Sequence, residues 1–559
     1  MIFINKLIIK KAVALMLCLA LVLFPVSAMA STASSSIAKS EGVRDDIGKA
    51  EIFEASLSQL REMLESGKIT SEKLCSVYIE RINTYDKDGV KLNSIISINK
   101  NALTQAKQLD SERAAGKVRG LLHGIPILVK DNIDVGGFPT TLGKASLKDA
   151  VAEADAAAVA ALTEQGAIIL GKTNLSTDDT ATRYTVSSIL GETRNAYNTK
   201  FSAGGSSGGS ATAVSANFAA AALGTDTNFS LCYPAALNGI VALRPTHSLT
   251  DYTGASNVVK ARDTIGPMAR SVEDTALLLD ILTDNAQTTP YLKSLSKDAL
   301  KGKTVAVLKE LSQYTYNSPN EWKRSDDEIE ALFEKALEDL KAQGANVVTV
   351  SIPKLFTYYN TCRESYSGSA AAKANLLAEV KNVLSQNGAQ ALVFPAYLSA
   401  PLKSGFDQYG SHVADGAAYL NCGGYLPSLV GMPAITVPMG YTTDGVGAGL
   451  EFVALPNEDS LLLSLSYSYE QATGHRTAPK TVPNLYEVIE EPPVVSQVES
   501  VSSQPANDTA QNTEKESGLG WQTITVIVII CATLAFCTWV LIFNVQKDRK
   551  KQIHKNRHF

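Results

Sequence analysis

Histidine and cysteine are scarce in this chain of 559 residues, at six and seven. Only Cys75, Cys232, Cys362 and Cys422 fall in the long central part, and none shares a Cys-x-x-Cys spacing. Four cysteines over such a length make no disulfide framework, although they do not forbid a bridge. The central histidines, His123, His247, His412 and His475, are scattered singly, and none lies in a familiar triad motif. No His/Cys group has the spacing of metal ligands, and no nucleotide fingerprint is present, so neither a metal nor an organic cofactor is expected. Strong net charge is missing too. The 51 Lys and Arg against 56 Asp and Glu leave −5, a mild acidic balance that argues against a nucleic-acid partner. There is no internal repeat.

Long apolar runs are present, but only at the two ends. Lys6, Lys10 and Lys11 precede an apolar stretch from Ala12 to Val26, and Ala28-Met29-Ala30 follows. A basic start, an apolar middle and a small-x-small site predict a secretory signal over residues 1–30. A retained anchor is the alternative. Trp521 to Val545 carries no charge and is long enough to cross a bilayer as one transmembrane helix. The tail at 546–559 holds Lys547, Arg549, Lys550, Lys551, Lys555 and Arg557 against Asp548 alone. Positive charge stays cytoplasmic, which predicts a large domain facing outside and membrane attachment at the C-terminal end. Residues 487–520, rich in Pro, Ser, Val, Gln, Asn and Glu, predict a disordered tether between domain and span.

Residues 47–486 are then one large body, in which helix and strand patterns alternate. Thr70 is placed to cap a helix whose apolar face includes Leu74, Val77, Tyr78 and Ile82. Ser325-Asp326-Asp327-Glu328 reads as a capping box ahead of Ile329, Leu332, Phe333, Ala336, Leu337 and Leu340. Short apolar runs at Ile125–Val129, Ala167–Leu170, Thr304–Leu308, Val347–Val350, Leu392–Phe394 and Leu450–Val453 suit buried strands. The alternation predicts an α/β class: a large mixed, mostly parallel twisted sheet covered by helices on both faces.

Two features inside this body point to chemistry. Lys130 ends the first apolar run, where a buried ammonium is costly unless paired or neutralised. Burial lowers a lysine's pKa and can turn it into a general base, whereas a lysine at a strand end can also snorkel to water. Residues 204–210 read Gly-Gly-Ser-Ser-Gly-Gly-Ser, and an alanine-rich helical stretch from Ala211 to Leu223 is expected next. Tiny residues there let the chain turn tightly and place N–H groups and hydroxyls at a helix start. A phosphate loop would also use glycines, but the Gly-Lys-Ser/Thr ending is absent.

Taken with residues 225–234, Thr-Asp-Thr-Asn-Phe-Ser-Leu-Cys-Tyr-Pro, and 124–133, Gly-Ile-Pro-Ile-Leu-Val-Lys-Asp-Asn-Ile, the chain resembles the amidase signature family. The resemblance extends through Lys172-Thr173-Asn174-Leu175-Ser176, Gly266–Ser271 and Gly431–Pro438, and so covers nearly all of residues 50–480. It implies the amidase signature fold and cleavage of a carboxamide by a Ser–Ser–Lys triad. Ser230 matches the nucleophile. Ser206 matches the serine that bridges to the lysine, often through a cis peptide bond, and Lys130 matches the base. Ser207 is a supporting hydroxyl and Asp226 a supporting acid. The oxyanion hole is implied at the backbone N–H groups of Thr227, Asn228, Phe229 and Ser230.

Three departures bear on activity. Asn228 and Phe229 stand where the family commonly has glycines, and Phe tolerates positive φ poorly. Cys232 replaces a common arginine. The stretch between Val350 and Ala391 is short, which blocks transfer of a substrate identity. The expected function is a cell-surface amidase acting on a small-molecule or peptide amide. Export argues against the transfer-RNA amidotransferase branch, which works in the cytoplasm with partner subunits. A degenerate amidase-fold surface binding module and an esterase on the same scaffold are the alternatives.

Overall fold

The apolar runs become strands of one sheet, and that sheet sets the site. The computed structural model describes residues 49–486 apart from 178–182, 313, 319–320, 325, 365–368 and 406–422. The expected signal, tether, span and tail, with His412 and Cys422, lie outside the described residues. Among those described, no helix is long and apolar enough to cross a membrane.

In chain order the strands are β1 (Ile95–Ile98), β2 (Pro126–Lys130), β3 (Ile168–Thr173), β4 (Ala221–Asp226), β5 (Val241–Arg244), β6 (Thr264–Ala269), β7 (Thr304–Leu308), β8 (Asn346–Val350), β9 (Ala391–Pro395), β10 (Ala434–Tyr441) and β11 (Gly447–Val453). They lie side by side as β1-β3-β2-β4-β6-β5-β10-β11-β9-β7-β8. The sheet is mixed, but it is not mostly parallel. β2 runs parallel to β3 and β4, and β7 parallel to β8 and β9, while the six other pairings are antiparallel. Apolar runs record burial on both faces and carry no strand direction, so the expectation failed on that point.

Alternation along the strands separates two cores. On β7, Val305 and Val307 join the helices Asp327–Ala342 and Asp459–Thr473, while Ala306 and Leu308 join Leu355–Glu364 and Ala370–Gln386 on the other face. A third cluster packs β2, β3 and β4 against Leu57–Glu65 and Ser71–Arg81. Helices therefore cover both faces of the β7 region.

Thr70 caps Ser71–Arg81, its Oγ1 accepting from Lys73 N at 3.1 Å. The helix Asp327–Ala342 is capped by Asp326, whose carboxylate accepts from Glu328 N and Ile329 N, while Ser325 of the expected capping box lies outside the described residues. An aspartate caps well because its carboxylate satisfies the first free N–H groups of the helix.

The alanine-rich stretch differs more. The helix spans only Gly208–Ser215, and Ala221 onward is the central strand β4. Asn217 sits at φ 58°, which a continuing helix forbids. Its side chain accepts from Glu54 N at 2.8 Å, and its carbonyl accepts from Arg81 Nε at 3.1 Å. Alanine favours a helix locally, but these long-range bonds stop it, and six buried residues, mostly small, fit where β4 lies between β2 and β6.

Candidate active site

Lys130 is the last residue of β2, an interior strand between β3 and β4, with 1% of its surface exposed. The parallel neighbour β4 ends beside it at Thr225 and Asp226. Lys130 Nζ lies 2.7 Å from Ser206 Oγ, 2.9 Å from Thr225 Oγ1 and 3.4 Å from the Thr225 carbonyl. Burial lowers its pKa to about 7, while Asp226 and Asp263 pull the other way. A neutral amine has two N–H bonds and one lone pair. Two N–H groups can go to the Thr225 oxygens, which leaves the lone pair for the Ser206 hydroxyl. Asn132 Nδ2 also donates to Thr225 Oγ1, at 3.1 Å, and fixes that hydroxyl further.

Ser206 sits where the glycine-rich segment turns into the helix Gly208–Ser215, and the Gly205–Ser206 peptide is cis. Gly204 has φ 75°, and a Cβ there would lie 2.9 Å from Pro234 Cα, so only glycine fits between this turn and the helix Cys232–Leu237. Ser207 is fully buried. Its hydroxyl donates to the Thr225 carbonyl at 3.1 Å and accepts from Thr225 N at 3.3 Å, tying the serine loop to β4.

Ser230 follows β4 and precedes the helix Cys232–Leu237. Lys130, Ser206, Thr227, Asn228 and Ser230 line one cavity of about 320 Å³, walled also by Leu175, Val258 and Tyr425. That volume suits a small ligand group. Among the described residues, the Ser230 hydroxyl has no hydrogen-bond partner, and the N–H groups of Thr227, Asn228 and Ser230 have no protein acceptor. The structure thus gathers Lys130, Ser206 and Ser230 around one space. The Lys130–Ser206 link is made, and no bond joins Ser206 to Ser230.

The loop keeps ordinary backbone in spite of its side chains. Neither Asn228 nor Phe229 has positive φ. The strain that phenylalanine would bring at such a position is therefore absent. Phe229 points away from the cavity, 1% exposed, with its ring edge-on to Tyr233 at 5.8 Å. Room for it comes from Gly424, where a Cβ would approach Phe229 Cα and Cβ to 3.0 Å. Asp226 is buried with Arg244 Nη1 at 2.7 Å, and its other oxygen accepts from Leu231 N at 2.9 Å. One carboxylate thus spans the loop from its first residue to just beyond Ser230. Cys232, in the arginine's usual place, is a buried free thiol beneath this loop.

Cys75 and Cys362 are also free and buried. His123, His247 and His475 bond elsewhere and do not line the cavity. Sequence reasoning passed over Thr225 and Asn132 as partners of the lysine, although both lie inside the quoted motifs. It missed Arg262, Cys362 and Tyr425 on the cavity wall, because no local pattern marks a residue that arrives from a distant segment.

The model of the family described as Amidase matches residues 73–361, more than half of the chain. The chain belongs to the amidase family. A glutamyl-tRNA(Gln) amidotransferase subunit of Acaryochloris marina is 30% identical over 495 residues, covering 76% of this chain and 100% of that protein. Peptide amidase from Stenotrophomonas maltophilia is 28% identical with a TM-score of 0.63, covering 76% of this chain and 98% of that structure. An amidase family protein from Bacillus anthracis is 28% identical with a TM-score of 0.64, covering 78% of this chain and 94% of that structure. This amidase is accordingly a hydrolase of the same α/β fold.

Proposed function

We propose that this amidase works at the cell surface and hydrolyses a linear carboxamide through a Ser230 acyl-enzyme. The observation that carries the chemistry is the buried, near-neutral Lys130 amine at 2.7 Å from Ser206 in the cavity that Ser230 shares. Ser230 Oγ attacks the amide carbon as its proton passes to Ser206, whose own proton passes to Lys130. A serine needs such a base to be nucleophilic. The N–H groups at Thr227, Asn228, Phe229 and Ser230 receive the negative oxygen. The C–N bond breaks as the proton returns through Ser206 to the leaving nitrogen, which departs as ammonia or amine. Water, activated by the same relay, then attacks the ester carbon and releases the acid and Ser230.

The apolar runs at both ends support export and C-terminal anchoring, with a substrate outside the membrane. A peptide amide fits that place, and one structural relative is named a peptide amidase. Reaction of the full-length protein with a fluorophosphonate probe tests the chemistry. The probe should label the protein, fail on Ser230→Ala and react far more slowly with Lys130→Ala. A well-folded protein that stays unlabelled would instead be a surface module that has lost the reaction. Protease added to intact cells tests the location: it should remove the large domain and spare the basic tail.

A further inference from the structure

In this amidase, Asn228, one of the two residues that stand in place of glycine in the nucleophile loop, and its neighbour Thr227 have partners in one distant segment. Arg262 Nη1 donates to Asn228 Oδ1 at 3.0 Å. The next residue, Asp263, accepts from Thr227 Oγ1 at 2.7 Å. Two consecutive residues thus grip two consecutive residues of the loop. The gripping segment is itself fixed. Arg244 Nη2 donates to the Arg262 carbonyl at 2.6 Å, and the other Asp263 oxygen accepts from Val258 N and Val259 N at 2.7 and 2.9 Å. Arg262 is 4% exposed, and its guanidinium lies 5.9 Å from the centre of the Tyr425 ring.

We propose that Arg262 is a positioning residue, whose bond to Asn228 holds the loop backbone so that its N–H groups face the space beside Ser230. The role rests on the acyl-enzyme function above. Glycines leave a loop many conformations, and something must select one of them. A charge-assisted bond from a rigid guanidinium does so strongly and directionally. Asn228 supplies the acceptor that a glycine lacks. The loss of glycine and the gain of a side-chain anchor are then two parts of one arrangement.

The test is a double-mutant cycle on the full-length protein, read as the maximal rate and the half-saturating concentration of fluorophosphonate labelling. Arg262→Leu and Asn228→Gly should each slow the maximal rate about 10- to 100-fold, less than the loss of a whole oxyanion donor, with half-saturation little changed. The double variant should be no slower than the slower single, because both remove one bond. Arg262→Lys should recover part of the rate. Thermal melts identify any variant that fails to fold, and Asn228→Gly with Arg262→Lys then carries the comparison. Effects that multiply in the double variant, or a wild-type rate in Asn228→Gly, overturn the positioning role alone. A wild-type protein that never labels overturns the acyl-enzyme function and this role together.

Discussion

The pH dependence of acylation tests the base most directly. Lys130 is fully buried against neutral hydroxyls and a carbonyl, so the loss of water outweighs Asp226 and Asp263 and its pKa falls to about 7. Only the neutral amine accepts a proton from Ser206, so the sign is fixed: activity rises with pH. The neutral fraction is about one half at pH 7, one tenth at pH 6 and one hundredth at pH 5. The labelling rate should therefore climb about tenfold per unit below pH 6 and level off above pH 8. An ordinary lysine, near 10.5, would leave about one part in 3,000 neutral at pH 7, and the rate would still be climbing at pH 9. Stopped samples of the full-length protein, labelled from pH 5 to 9.5, give the profile. Lys130→Ala should lower the plateau by about 10²- to 10⁴-fold and remove the inflection. A rate that keeps rising through pH 9, or an inflection that survives Lys130→Ala, would refute the reasoning.

Gly424→Ala would press a methyl group against Phe229, and overpacking of this kind costs about 1–3 kcal/mol. The melting temperature should fall and the labelling rate with it, and an unchanged rate would show that the loop does not feel Gly424. Asp226→Ala leaves Arg244 buried without its carboxylate and strips the acceptor from Leu231 N, so a loss of about 3–5 kcal/mol is expected in chemical denaturation. A loss below about 1 kcal/mol would count against that pair as the loop's brace. Glu451, on β11, is fully buried, and neither carboxyl oxygen has a hydrogen-bond partner among the described residues. Burial, with Asp226 nearby, pushes its pKa well above the usual carboxylate range. Glu451→Met removes two unsatisfied polar atoms and should raise the melting temperature, and a drop of several degrees would reveal a partner.

Much of this protein could be read from local pattern, because the information is local. Thr70 and the run Thr304–Leu308 needed only a capping side chain and a stretch of β-branched residues. Lys130, Ser206 and Ser230 were marked by their resemblance to the amidase signature motifs, since local pattern alone left the lysine open to a surface reading and did not single out Ser230. The alanines after Ser210 misled, since alanine suits a helix and equally fills a crowded central strand. Nothing near Asn217 in sequence announces the bonds from Glu54 and Arg81 that end the helix.

The sequence by itself determined the α/β class and the apolar runs at both ends, since each depends on composition or on a few adjacent positions, and its resemblance to the amidase signature family marked the candidate residues Lys130, Ser206 and Ser230. Only the tertiary structure decided strand direction, the depressed pKa of Lys130 and the fate of the altered loop. Those depend on what surrounds a residue. Water is removed from Lys130 by neighbouring strands, and Asn228 and Phe229 are accommodated by Arg262 and Gly424, which lie far along the chain and meet the loop only once the chain has folded.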